Sequence, residues 1–295
     1  MSAALAVAVR RLPLPFGRRV ELPGRGTTFV REVPGPAGAP TLLLLHGWMA
    51  SGGLNWFRVF ETLGREFRVL APDLRGHGRG LRSRQPFRLT DCADDVAALL
   101  AALDAGPVVT VGYSMGGAIA QILGRRHPEL VSGLVLCATA SHLGSGPAGG
   151  LPVDAALGAL ARAAQVGERL LHLPSAPLRA LGRVGTPAPT DLVQWAVAEF
   201  RRHDVRHVVE AARASGRFDA RPWLPRLELP SAVVVTARDR VVPPHRQRAL
   251  AATMSAATVH EVAGGHAACA STGFVEPLAD ACRDVAERAR PSPAA

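Results

Sequence analysis

The chain contains no lysine, a single tyrosine (Tyr113), four cysteines and no long apolar run, and each scarcity closes off a class of protein. Cys92, Cys137, Cys269 and Cys282 are widely spaced, with no Cys-x-x-Cys pair. Neither a zinc site nor a disulfide framework is indicated, and a reducing compartment fits. No segment offers the roughly 18 uninterrupted apolar residues of a membrane span. The short run from Ala3 to Val9 has no basic residue before it and Arg10-Arg11 after it, the reverse of a secretory signal. A cytoplasmic location is therefore expected. Because lysine is absent, the net charge of +10 rests on arginine alone. The arginines are scattered with few aromatics among them, which reads as compositional bias rather than a nucleic-acid surface.

With 295 residues, 48% of them hydrophobic, the chain can bury a large core. After an N-terminal arm reaching about Gly17, residues 20–33 read as a hairpin turning near Gly24 to Gly26. Apolar runs then alternate with helical patterns. Thr41 to Leu45 and Phe67 to Asp73 read as buried strands, with a helix expected from about Asn55 between them. A helix capped by Thr90 or Asp91 carries Val96, Leu99, Leu100 and Leu103 on one stripe. Strands at Val108 to Val111 and Val131 to Thr139 flank a helix bearing Ile119, Ile122 and Leu123. This alternation predicts a parallel sheet with right-handed crossovers.

The pattern breaks at about Ser141. Residues 143–226 are rich in Gly, Pro, Ala and Arg, with helix-like stretches, the best from Thr190 to about Ala214, where Val193, Val197 and Phe200 share a face. They read as a helical insertion after the fifth parallel strand, splitting a core of residues 1–142 and 227–295. The sheet resumes at Ser231 to Asp239, a helix opens at Pro243-Pro244, and Thr258 to Val262 forms the last strand. A terminal helix bears Phe274, Leu278, Cys282 and Val285.

Polar turns collect at the carboxyl ends of these strands, where parallel sheets bind ligands. The sharpest is Gly112-Tyr113-Ser114-Met115-Gly116-Gly117, a strand-to-helix turn that presents a serine between glycines. A serine hydroxyl needs a base, and His266, in the Gly264-Gly265-His266 turn, alone among ten histidines follows a strand end in such a turn. Asp239 can hold the imidazole in its working tautomer. The one rival position for the acid, residues 137–141, carries no carboxylate. The backbone amides of Met115 and Trp48 are candidate oxyanion donors, so their side chains should matter less than that of Ser114. His46 and Gly47 shape the loop before Trp48. Asp73, Arg75 and His77 read as loop-structuring, with His77 also able to line a pocket. Trp195 and Phe200 read as core residues, as substrate contacts, or as both.

On five motifs in order, His46-Gly47-Trp48, Asp73-Leu-Arg-Gly-His-Gly78, Gly112 to Gly117, Asp239-Arg-Val-Val-Pro243 and Gly264-Gly-His266, the chain resembles the α/β-hydrolase superfamily. The resemblance implies a mostly parallel sheet with helices on both faces and a helical cap over an apolar pocket. It also implies a serine hydrolase that needs no cofactor or metal and cleaves carboxylic esters or related acyl compounds through an acyl-enzyme. The expected partner is a small acyl substrate, with neither nucleic acid nor an integral membrane span, on a monomer or homodimer. A serine stands where the dehalogenase-like and epoxide-hydrolase-like members carry a carboxylate, and Ala267 stands where carbon-carbon hydrolases commonly carry tryptophan. Other readings of the same site are a ligand-binding protein with slow or no turnover, a perhydrolase, and an acyltransferase or carrier-linked thioesterase suggested by Arg201, Arg202 and Arg206.

Overall fold

A computed structural model describes residues 14–144, 192–255 and 257–290. The expected arm falls largely outside these residues, as does much of the insertion at 143–226.

Eight strands form one sheet in the order β1-β2-β4-β3-β5-β6-β7-β8. They are β1 (Gly17–Leu22), β2 (Gly26–Val33), β3 (Thr41–Leu45), β4 (Arg68–Asp73), β5 (Val108–Tyr113), β6 (Val131–Cys137), β7 (Ser231–Thr236) and β8 (Thr258–Val262). The β1–β2 and β2–β4 pairs are antiparallel and every other pair is parallel. The insertion therefore follows the fourth parallel strand, β6, not the fifth, since the first two strands belong to the antiparallel edge.

The apolar run of β3 shows why its strands lack polar alternation. Leu43 and Leu45 enter one core cluster while Leu42 and Leu44 enter the other, so both faces of the sheet are covered. The first cluster is closed by α3 (Leu89–Ala102), α4 (Met115–Arg126) and α7 (Pro244–Thr253). On the opposite face, α1 (Gly52–Trp56), α2 (Phe60–Leu63) and α8 (Val275–Arg288) close the second. Phe274, Leu278, Cys282 and Val285 are all fully buried there, as their helical spacing predicts.

Two helix starts differ from expectation. The first helix begins at Gly52, three residues before Asn55, because the Ser51 hydroxyl accepts the Leu54 amide and fixes the cap there. The start of α3 has Arg88 at the cap with no side-chain bond, so neither Thr90 nor Asp91 caps it.

The helical stretch from 190 is two helices, α5 (Leu192–Phe200) and α6 (Val205–Gly216). Asp204 divides them by capping α6 through the His207 amide at 3.1 Å. The buried face of α5 is also different: Trp195 and Glu199 are buried, whereas Val197 and Phe200 are each 42% exposed. The side chain of Val193 lies outside the described residues. Glu199 turns inward because arginines meet it there, a pairing that apolar periodicity does not register.

Candidate active site

Sheet order reverses around β3, with β4 on one side and β5 on the other, the point beyond which parallel sheets bind ligands. Ser114 sits on the turn between β5 and α4 with φ 52° and ψ −114°, a left-handed conformation that costs a non-glycine residue about 1–3 kcal/mol. The surroundings fix it. The Ser114 amide donates to the Cys137 carbonyl at 2.9 Å, and its own carbonyl accepts from the Thr139 hydroxyl at 2.9 Å. A Cβ at Gly112 would collide with the Gly116 carbonyl. A Cβ at Gly116 would strike the Leu45 carbonyl on β3, so the second glycine is required by the neighbouring strand.

Three distant side chains meet at this turn. His266 Nε2 stands 3.0 Å from Ser114 Oγ, and His266 Nδ1 stands 2.8 Å from Asp239 Oδ2. An ionised carboxylate only accepts, so Nδ1 carries the proton and Nε2 is free to accept from the serine hydroxyl. Asp239 is ringed by donors: the Val241 and Val242 amides reach Oδ1 at 2.8 and 2.9 Å, and the Thr236 hydroxyl reaches Oδ2 at 2.8 Å. Burial works against its charge, but the bonds from His266, Val242 and Thr236 outweigh it and hold its carboxyl below the usual range.

Two positioning residues escaped the motif reading. Tyr113 Oη donates to the His266 carbonyl at 2.9 Å, and its buried ring meets those of His266, Trp56 and Phe274 edge-on. Its place beside the nucleophile was visible, but its reach to a turn 153 residues away was not. Gln247 on α7 is fully buried. It accepts the Thr236 amide at 3.0 Å and donates to the Thr236 hydroxyl at 2.8 Å and the Val242 carbonyl at 2.7 Å, bracing the Asp239 turn. No sequence pattern singles it out.

The loop after β3 lies beside Ser114, since a Cβ on Gly47 would come within 3.5 Å of Ser114 Cβ. The Gly47 amide donates to Asn55 Oδ1 at 3.0 Å, which holds the loop against α1. Met115 opens α4, where a first-turn amide has no intrahelical acceptor. The Trp48 indole donates to the Val208 carbonyl on α6 at 2.7 Å, so this side chain has a structural partner that motif reading had not supplied.

The remaining predicted residues are structural in place. His46 is fully buried: its Nδ1 donates to the Gly47 carbonyl at 2.8 Å and its Nε2 accepts the Leu74 amide at 2.9 Å. Burial lowers its pKa to about 3, so it is neutral. His77 is also fully buried, donating from Nδ1 to the Arg75 carbonyl and packing against His46, Phe87 and His203. These contacts place it within the loop after β4. Trp195 packs edge-on against Phe57 and next to Gly53. Asp73 accepts the Gly52 and Arg79 amides, each at 2.8 Å, while burial raises its pKa to about 6.

The insertion is bolted to the two core loops by polar bonds. The Ser51 hydroxyl donates to Glu199 at 2.8 Å, the Asp204 amide to the Gly76 carbonyl at 2.8 Å, and the Gly78 amide to His203 Nδ1 at 2.7 Å. Arg202 pairs with Glu199 at 3.3 Å and Arg206 donates to the Ser83 carbonyl at 2.6 Å. Both arginines are thus engaged within the protein. Among the described residues, no group of three or more His, Cys, Asp or Glu is placed to hold a metal ion. No described helix is long and apolar enough to cross a membrane.

A family model for the alpha/beta hydrolase fold matches residues 40–271. Among curated proteins, the pimeloyl-[acyl-carrier protein] methyl ester esterase of Chromobacterium violaceum is 32% identical over 223 residues, covering 75% of this chain and 85% of that protein. The magnesium-chelatase 30 kDa subunit of Rhodobacter capsulatus is 30% identical over 250 residues, covering 79% and 82%. Among solved structures, a thermophilic esterase from Thermogutta terrifontis superposes with a TM-score of 0.68 at 23% identity, covering 94% of this chain and all of that one.

Proposed function

We propose that this chain, which belongs to the alpha/beta hydrolase family, is a serine hydrolase that cleaves carboxylic esters through an acyl-enzyme on Ser114. The observation that carries the reading is the unbroken relay from Ser114 Oγ to His266 at 3.0 Å and from His266 to Asp239 at 2.8 Å. In the proposed reaction Ser114 Oγ attacks the ester carbonyl while His266 Nε2 takes its proton. Asp239 stabilises the imidazolium that forms. The negative charge moves to the carbonyl oxygen, where the Met115 and Trp48 amides receive it, each worth about 2.7–4 kcal/mol of barrier. Collapse of this intermediate breaks the ester C–O bond, and the imidazolium protonates the departing alcohol. Water, deprotonated by the same histidine, then releases the acid and restores Ser114.

The described helices of the insertion act as a cap in this reading, held on the loop that carries Trp48 and on the loop after β4. Apolar Trp48, Met49, Val205 and Val241 are exposed on the loops and helix around the site, which favours an apolar acyl group over a charged one. The cytoplasm is the compartment that the cysteine usage suits.

Labelling of the full chain by a fluorophosphonate, lost in Ser114→Ala, is expected together with burst release of a chromogenic alcohol. An intact chain that takes no label and returns short and medium acyl esters unchanged, while being stabilised by them, would instead be a binding protein, and the proposal would fall.

A further inference from the structure

We infer that the protein carries a second binding site, away from Ser114, for an amphipathic carboxylate. The site is a groove of about 900 Å³ between the start of α3, the C-terminal half of α4 and the C-terminal half of α6. Helix α4 separates it from the nucleophile. Arg125 lies ten residues along the helix from Met115, which at 1.5 Å per residue is about 15 Å. None of Ser114, Asp239, His266 or Trp48 lines the groove.

Its lining pairs an apolar surface with unmatched positive charge. Phe87, Ile122, Phe218 and Trp223 supply the apolar side. Arg88, Arg125 and Arg213 supply the charge, and none of the three meets a carboxylate among the described residues. Arg125 lies over the Trp223 ring at 4.8 Å, and the buried Arg213 Nε has no hydrogen-bond partner. The acids that could balance them are already engaged. Glu210 accepts the Phe87 amide at 2.7 Å and faces Arg206 at 3.5 Å, while Asp219 holds Arg221 through bonds of 2.8 and 2.6 Å. The neighbouring Arg126 is spent on Asp94, which it meets through two nitrogens.

A buried guanidinium donor without an acceptor is costly, and a carboxylate supplies the planar acceptor that a guanidinium matches. The aromatic side then takes an alkyl or aryl body. A neutral ester brings the body without the charge, and inorganic phosphate brings the charge without the body. The groove therefore selects acids over their esters. If the hydrolase reading holds, the acid released at Ser114 is such a ligand. The site itself does not depend on that reading.

The test uses the full-length chain carrying Ser114→Ala, titrated calorimetrically with octanoate, methyl octanoate and inorganic phosphate. Octanoate is expected to bind, and Arg125→Gln with Arg213→Gln to weaken it at least about tenfold while leaving methyl octanoate unaffected. Trp223→Leu, which removes the ring but no charge, should also weaken octanoate. Thermal melts confirm that these surface variants are folded, and the parent provides a control that needs no mutation there, since added salt should weaken octanoate but not methyl octanoate. Absence of octanoate binding, equal affinity for phosphate, or octanoate binding unchanged in the arginine variant would each overturn the inference. Octanoate binding without esterase activity in the wild-type chain would sink the hydrolase reading alone.

Discussion

His46 and His266 follow parallel strands, β3 and β8, that lie on either side of β5 in the sheet, yet their surroundings suit them to different work. His266 has an ionised carboxylate on one nitrogen and a hydroxyl on the other, and its side chain is 26% exposed. His46 is sealed between a carbonyl and an amide and held neutral by burial. Residue type and a place beyond a parallel strand are shared, so the difference lies in what each ring touches. A ring set between a carboxylate and a hydroxyl is placed for the proton transfer proposed above, whereas one enclosed by backbone groups in a desolvated site resists charge and serves as a rigid strut.

The contrast is broken most severely by removing the atom that His266 faces. In Ser114→Ala, kcat/KM for the best ester is expected to fall by about 10⁴-fold or more, with the melting temperature little changed because alanine keeps the Cβ and the same backbone conformation. Steady-state kinetics beside a thermal melt checks both. Asp239→Asn should cost about 10³- to 10⁴-fold in kcat, since an amide cannot balance an imidazolium and can favour the wrong tautomer. His46→Ala, by contrast, should leave kcat within a few-fold. It should lower stability by about 1–3 kcal/mol through the stranded Leu74 amide, measured by urea unfolding.

Acid separates the buried histidines from the rest of the chain. His46, His77, His203 and His207 all have pKa values lowered chiefly by burial, so below about pH 6.5 the unfolded chain binds protons that the folded chain refuses. Stability is therefore full above that pH and declines as pH falls, by up to about 1.4 kcal/mol per pH unit for each histidine held neutral. Asp73 opposes this trend. With its folded pKa raised to about 6, it favours the native state at low pH and loses that contribution as pH rises through 6. Denaturant melts between pH 7.5 and pH 5, as a practical range of about 2.5 units, should show a net loss on acidification that is shallower in His46→Ala. The smallest effect is expected from Tyr113→Phe. Loss of one bond to the His266 carbonyl should lower kcat by up to about tenfold, with KM little changed.

Much of the fold was legible because strand burial and helical stripes are written in local periodicity. The strand Thr258 to Val262 and the terminal stripe from Phe274 to Val285 stand where their patterns put them. The buried face of α5 was misread because Trp195 and Glu199 are drawn inward by Phe57, Ser51 and arginine partners from distant loops. Apolar spacing carries no record of such partners. In the candidate site, Ser114, Asp239 and His266 could be singled out because each ends a strand in a turn of restricted chemistry. Tyr113 and Gln247 gain their roles only from contacts across the sheet.

The order of elements, the glycine-flanked serine and the two candidate partners Asp239 and His266 could be read along the chain, since they follow from steric limits and short-range periodicity. Only in the folded chain is it decided which histidine burial holds neutral, which glycine a neighbouring strand requires, and which arginines meet no carboxylate. Those properties depend on desolvation and on partners up to 153 residues apart, and neither quantity exists until the chain is folded.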